Sequence, residues 1–106
     1  MAINSRRKGA AEERALVRKL QGAGFAAEKI SRSGYVGADL SVPLLGVDRS
    51  VEVKLRANGF HELYSWLVDR DILIVRADRA SPLVILRLPL AIAIARAAED
   101  SKKFPL

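Results

Sequence analysis

Two carboxylates and a lysine stand at the ends of one predicted hairpin. They are Asp39 in Gly37-Ala38-Asp39-Leu40, and Glu52 and Lys54 in Val51-Glu52-Val53-Lys54-Leu55. Glu52 and Lys54 are two apart, so on a strand they share one face while Val51, Val53 and Leu55 share the other. Asp39 and Ser41 alternate in the same way with Leu40, Val42 and Leu44, and Gly46 to Ser50 reads as the turn. Antiparallel pairing with the apolar faces together brings Asp39, Glu52 and Lys54 to one end of one face. Two carboxylates so placed form a ligand pair for a hard divalent cation, with an ammonium beside it.

A third acid comes from a helix. Ala10 to Leu20 has helical periodicity and stops at Gly22-Ala23-Gly24. Leu16, Val17 and Leu20 form one stripe with Glu13 at its middle, whereas Glu12 lies about 100° away at its edge. A carboxylate in a core-facing stripe is costly unless something ionic meets it. Two readings stay open: an ion pair to a neighbouring strand, with Lys54 one available partner, or membership of the same site as Asp39 and Glu52.

The elements that must position these residues fit one domain, residues 1–106, with a basic arm over 1–8 and a tail over 101–106. Half the residues are apolar and mean hydropathy is +0.09, as in a folded globule. The expected order is helix 9–22, strands 25–31, 39–44 and 50–56, helix 60–69, strands 71–77 and 83–88, and helix 89–100. Phe60, Leu63, Tyr64 and Leu67 form the packing stripe of the second helix, with Trp66 beside them. The continuous apolar run after Asp71 predicts a central strand covered on both faces, joined to the strand before it by a right-handed βαβ crossover. Pro43 predicts a strand left unpaired on one side near its end. The last helix carries Leu90, Ile92 and Ile94 and is apolar nearly all round, so either the sheet or a second subunit must cover it.

Charge narrows the partners. Lys and Arg number 18 against 12 acids, giving +6, and the pI is near 10.2. Residues 1–56 hold 11 basic and 6 acidic residues, against 7 and 6 in the remainder. Carboxylates within a positive surface suit a polyanion that approaches a bound metal, and nucleic acid is the expected one; a basic surface that only aids solubility is the plainer alternative. With no cysteine there is neither a disulfide nor a thiolate metal site, and a reducing cytoplasm is expected. The basic start has no apolar core of a signal peptide behind it, and Leu88 to Ala95 is too short for a membrane span. His61, the one histidine, is expected at an exposed helix start.

The order αβββαβ, with an acid on the first helix, Asp39-Leu40 on the second strand and Glu52-Val53-Lys54 on the third, resembles the PD-(D/E)XK nuclease superfamily. More narrowly it resembles archaeal-type Holliday junction resolvases and their small prophage-borne relatives. The similarity is densest in Arg7-Lys8-Gly9-Ala10-Ala11-Glu12-Glu13-Arg14-Ala15-Leu16-Val17 and in Gly24-Phe25, Ser31 and Ser33, and it covers residues 6–56. Ala38 stands where the family's pattern has proline. The segment after Lys54 has Arg56 and Arg70 in place of the resolvases' further lysines.

The resemblance implies a restriction-endonuclease-like core, a central mixed sheet flanked by helices with an extra C-terminal strand and helix. It implies a DNA endonuclease that hydrolyses phosphodiester bonds with Mg²⁺, replaceable by Mn²⁺, and with no organic cofactor. Asp39, Glu52 and the Val53 carbonyl are then metal ligands, Glu13 acts through a metal-bound water or a second ion, and Lys54 orients or deprotonates the attacking water. Arg6, Arg7, Lys8, Ser31, Arg32, Ser33 and Arg56 are expected to contact DNA. Four-way junctions are the implied substrate and a homodimer the implied assembly. The alternatives are a repair or phage-replication nuclease acting on other DNA forms, or a non-catalytic basic DNA-binding module on the same fold.

Overall fold

A computed structural model of the chain describes residues 2–30 and 39–103, with side chains for 9–30 and 39–101. Three helices and five strands follow in the order α1 (Ala2–Gly22), β1 (Glu28–Lys29), β2 (Leu40–Leu44), β3 (Val47–Val51), α2 (His61–Leu67), β4 (Ile72–Val75), β5 (Leu83–Leu86) and α3 (Leu88–Lys103). The protein is mixed α/β.

Helix α1 runs through the residues expected as a basic arm. Nothing in Ala2 to Lys8 forbids it, and Gly9 costs only about 1 kcal/mol inside so long a helix. Its end is set by Gly24, at φ 95°. Phe25 N donates to Leu20 O at 3.0 Å and Gly24 N to Gln21 O at 3.0 Å, the paired bonds of a glycine-terminated helix. The same geometry drops Phe25 onto Leu20 and into the core.

β1, β2 and β3 form an antiparallel sheet in that order. Register Leu40↔Val51 through Leu44↔Val47 leaves Leu45 and Gly46 as a two-residue turn. Both have positive φ, 55° and 78°, as a primed hairpin turn requires. The turn is thus tighter and earlier than the expected Gly46 to Ser50, because Val47 to Ser50 pair with β2. Pro43 faces Asp48 across the hairpin. Alternation points its missing donor towards β1, which pairs no further than Ser41, so no ladder bond is lost.

Leu40 and Val42 are buried, and Phe25, Ala27 and Val42 form the core with Leu20, Ala23, Leu44, Val51, Ile92 and Ala95 around them. One face of α3 therefore covers the sheet, while Ile94 on the same helix is 53% exposed. Arg96 locks this layer. It donates to Gly24 O at 3.1 Å, pairs with Asp100 at 2.8 Å and stacks 5.2 Å from the Phe25 ring centre. Glu99 accepts the Leu45 N–H at the hairpin tip.

The expected single central sheet is not what forms. β4 and β5 make a separate two-stranded antiparallel sheet, and no parallel pair or βαβ crossover occurs among the described residues. β3 ends at Val51, and residues 52–60 join no ladder. Among the described residues no strand pairs with the other edge of β4. Its burial alternates, with Ile74 66% exposed, so it is half-covered and not central. α2 packs on this sheet by Leu67 and is tied down by Arg87, which donates to Leu67 O at 3.2 Å and Arg70 O at 3.1 Å. The radius of gyration, 15.9 Å, exceeds the roughly 13 Å of a compact chain this long, as two small sheets and a long first helix require.

Candidate active site

Asp39 sits at the junction of all three strands of the first sheet. Its C=O accepts from Ile30 N at 3.0 Å, and its N–H donates to Val51 O at 2.9 Å. Since Leu40 already faces Val51 in the register, one residue is extra at this strand start. Such an irregularity re-aims a side chain. The carboxylate turns along the sheet, and Oδ2 accepts the Val53 N–H at 2.8 Å. Asp39 is thereby anchored to the residue between Glu52 and Lys54.

Glu52 and Lys54 lie just past the end of β3, and their side chains meet. Lys54 Nζ is 3.3 Å from Glu52 Oε1, with side chains 56% and 53% exposed. An ion pair this open contributes at most about 1 kcal/mol. Its value is local: a cation is kept beside a carboxylate where charge can change.

Glu13 takes the other of the two routes open to it. Its carboxylate is 18% exposed and meets Lys29 Nζ at 3.3 Å. The partner is on β1, not Lys54. Phe25, Ala27 and Lys29 share one parity, and Phe25 and Ala27 are buried. That parity turns the ammonium of Lys29 towards α1, and it was the legible signal for this pair. Glu12 is exposed, as its place at the stripe's edge requires. Among the described residues no three Asp, Glu or His side chains are placed to hold one metal ion. The part-buried carboxylate is neutralised by Lys29 instead.

Asp39 and Glu52 nevertheless fit a hard divalent cation by donor chemistry. Mg²⁺ is commonly held by one or two carboxylates, with water and substrate phosphate completing its shell. The fit rests on the 2.8 Å bond that joins Asp39 to the Glu52–Lys54 segment.

Of the expected DNA contacts, Arg6, Arg7 and Lys8 belong to the first turns of α1, with side chains outside the described residues. Ser31, Arg32 and Ser33 also lie outside them. Arg56 is exposed two residues beyond Lys54. Sequence reading passed over a further basic surface: Arg14, Arg18 and Lys29 line a recess of about 320 Å³ beside Glu13, with Val17 and no acid in its lining. Arg14 and Arg18 are one turn apart, and that spacing was the available signal. Tyr64 and Trp66, expected as packing residues, are 68% and 52% exposed. α2 is only two turns long and buries only Leu67. His61 is exposed as expected.

No helix among the described residues is long and apolar enough to cross a membrane. Comparison of the chain with protein-family models, with curated proteins and with solved structures finds no match.

Proposed function

We propose that the protein is a metal-dependent DNA endonuclease that hydrolyses phosphodiester bonds. The observation that carries this reading is the Asp39–Val53 bond, which holds an Asp carboxylate against a Glu-x-Lys segment. The +6 charge and the Arg14, Arg18 and Lys29 recess support a nucleic-acid substrate. A divalent cation bound here supplies Lewis acidity at a phosphate oxygen. Asp39 and Glu52 would hold it, with the Val53 carbonyl as a third oxygen donor. Lys54 orients the attacking water and balances the negative charge that grows on the phosphorane oxygens. Glu13 holds Lys29 by an ion pair and would act on the site through a metal-bound water or a second ion. The restriction-endonuclease-like core belongs to the same proposal; the mixed α/β element order and the acid-bearing hairpin support it, while β4 and β5 pair apart from β1–β3.

A junction-resolving activity is the first form of this reading, and it requires two sites related by a two-fold axis. A homodimer is therefore part of it, and the exposed Ile94 on α3 offers apolar surface for one. The test is incubation with Mg²⁺ and a panel of four-way, flap and linear DNAs, beside light scattering. Paired symmetric nicks in the four-way substrate together with a dimer support the resolvase form. Preference for other DNAs assigns a repair or replication nuclease. Binding without any cleavage overturns the enzyme and leaves a DNA-binding module.

A further inference from the structure

Immediately past Lys54 the chain turns into an open recess that the catalytic reading leaves unused. Arg56, Asn58, Gly59, His61 and Tyr64 line it, and its volume is about 480 Å³, within the range of small-ligand sites. Its polar groups are donors or neutral, with no acid in the lining, and one wall is an aromatic ring left 68% exposed. The shape is built into the backbone. A Cβ on Gly59 would lie 2.6 Å from Arg56 Cβ and 2.9 Å from its Cγ, so only glycine admits the arginine stem there. Phe60 then enters α2 from the left-handed region, at φ 65°. His61 and Tyr64, three apart on one helix face, are thereby presented to the same opening.

We infer that this recess holds one unpaired nucleotide of the DNA strand engaged at Glu52 and Lys54, an inference that rests on the nuclease reading of that neighbouring site. Arg56 meets a phosphate, Tyr64 stacks on the base, and Asn58 and His61 address the base edge. The Cα atoms of Lys54 and Arg56 are at most about 7 Å apart, since two residues span no more. The recess is therefore close enough to the catalytic segment to take the next nucleotide. A base inside a duplex has no free face for Tyr64, whereas an unstacked one does. The site thus favours DNA with an unstacked nucleotide beside the scissile bond, as at a tail, a flap or a branch point. An acidic peptide matches the charge but offers the ring nothing to stack on.

The test is binding measured by fluorescence anisotropy in EDTA, so that cleavage plays no part. The probes are a duplex with a short single-stranded tail, the same duplex with blunt ends, and a poly-glutamate peptide. Tyr64→Ala is expected to weaken binding of the tailed duplex about 5- to 100-fold, the loss of one stacked base, and to leave blunt duplex unchanged. Tyr64→Phe retains the ring and should retain the affinity. Arg56→Ala should lower the salt slope for the tailed duplex by about one. Thermal melting of each variant checks that it folds. Equal affinity of Tyr64→Ala and wild type for the tailed duplex overturns the proposal, as does an equal loss on tailed and blunt DNA, or poly-glutamate binding as tight as the tailed duplex. Failure of Mg²⁺-dependent cleavage sinks the nuclease reading but leaves this binding result readable by itself.

Discussion

The Asp39 carboxylate accepts the Val53 backbone N–H at 2.8 Å, and this bond stands where the β2–β3 ladder stops. The amide that would continue pairing beyond Val51 is held by a side chain. Glu52 and Lys54 are therefore free of the sheet, and their side chains are more than half exposed. One residue both ends a strand and presents the segment that follows.

That dual role separates two substitutions. Asp39→Asn keeps an oxygen acceptor for Val53, so stability should stay within about 0.5 kcal/mol of wild type. Asp39→Ala leaves a part-buried N–H without its partner and should cost about 1–3 kcal/mol. Urea unfolding reads the difference; equal losses would mean that the bond does not hold the segment.

The Glu13–Lys29 pair makes a second test. Its side chains are 18% and 37% exposed, so solvent screens it only in part. A double-mutant cycle with Glu13→Gln and Lys29→Gln should return a coupling of about 0.5–1 kcal/mol. Glu12→Gln should change stability little and leave cleavage intact, whereas Glu13→Gln should lower cleavage. The reverse pattern in cleavage would mean that Glu12, not Glu13, serves the site.

Two nearby glycines should respond in opposite directions. Gly24 has φ 95°, and a Cβ there would meet Arg96 Nη1 at 3.0 Å, so Gly24→Ala should destabilise by about 1–2 kcal/mol. Gly22 is helical with open space around it, so Gly22→Ala should stabilise by about 0.5–1 kcal/mol. Thermal melting of both variants compares them directly.

What was legible in the sequence follows from how local each feature is. The glycine stop of α1, the burial of Leu40 and Val42 and the half-paired place of Pro43 depend on a few adjacent residues, and all three are in the structure. The hairpin turn was displaced because Leu45 tolerates a positive φ that composition assigns to glycine or asparagine. The strand after Asp71 was misjudged because an apolar run does not say how many neighbours cover it. Ile74 stands exposed in a two-stranded sheet, and no property of residues 71–77 encodes how many strands join it. Lys29 was missed because its parity with Phe25 and Ala27 matters only once α1 lies across β1. Tyr64 was assigned to packing by spacing, yet a two-turn helix has too little surface to bury its whole stripe.

Phosphate binding can be separated from catalysis by salt. Arg7→Ala, Lys8→Ala, Arg14→Ala and Arg18→Ala should each weaken DNA binding and reduce the log–log salt slope by up to about one for each phosphate no longer neutralised. Cleavage at saturating DNA should persist. A variant whose affinity and slope both match wild type does not touch the backbone.

The central claim is that Asp39, Glu52 and Lys54 act as one hydrolytic set, and Mg²⁺-dependent DNA cleavage by Asp39→Asn tests it most directly. That variant keeps the Val53 hydrogen bond but loses a charge. The account predicts that cleavage is abolished while DNA affinity stays equal or rises, because a negative charge facing phosphate is removed. Glu52→Gln should behave alike, and Lys54→Ala should also stop cleavage. Cleavage by Asp39→Asn at the wild-type rate would contradict the account and reduce the constellation to a strand terminus.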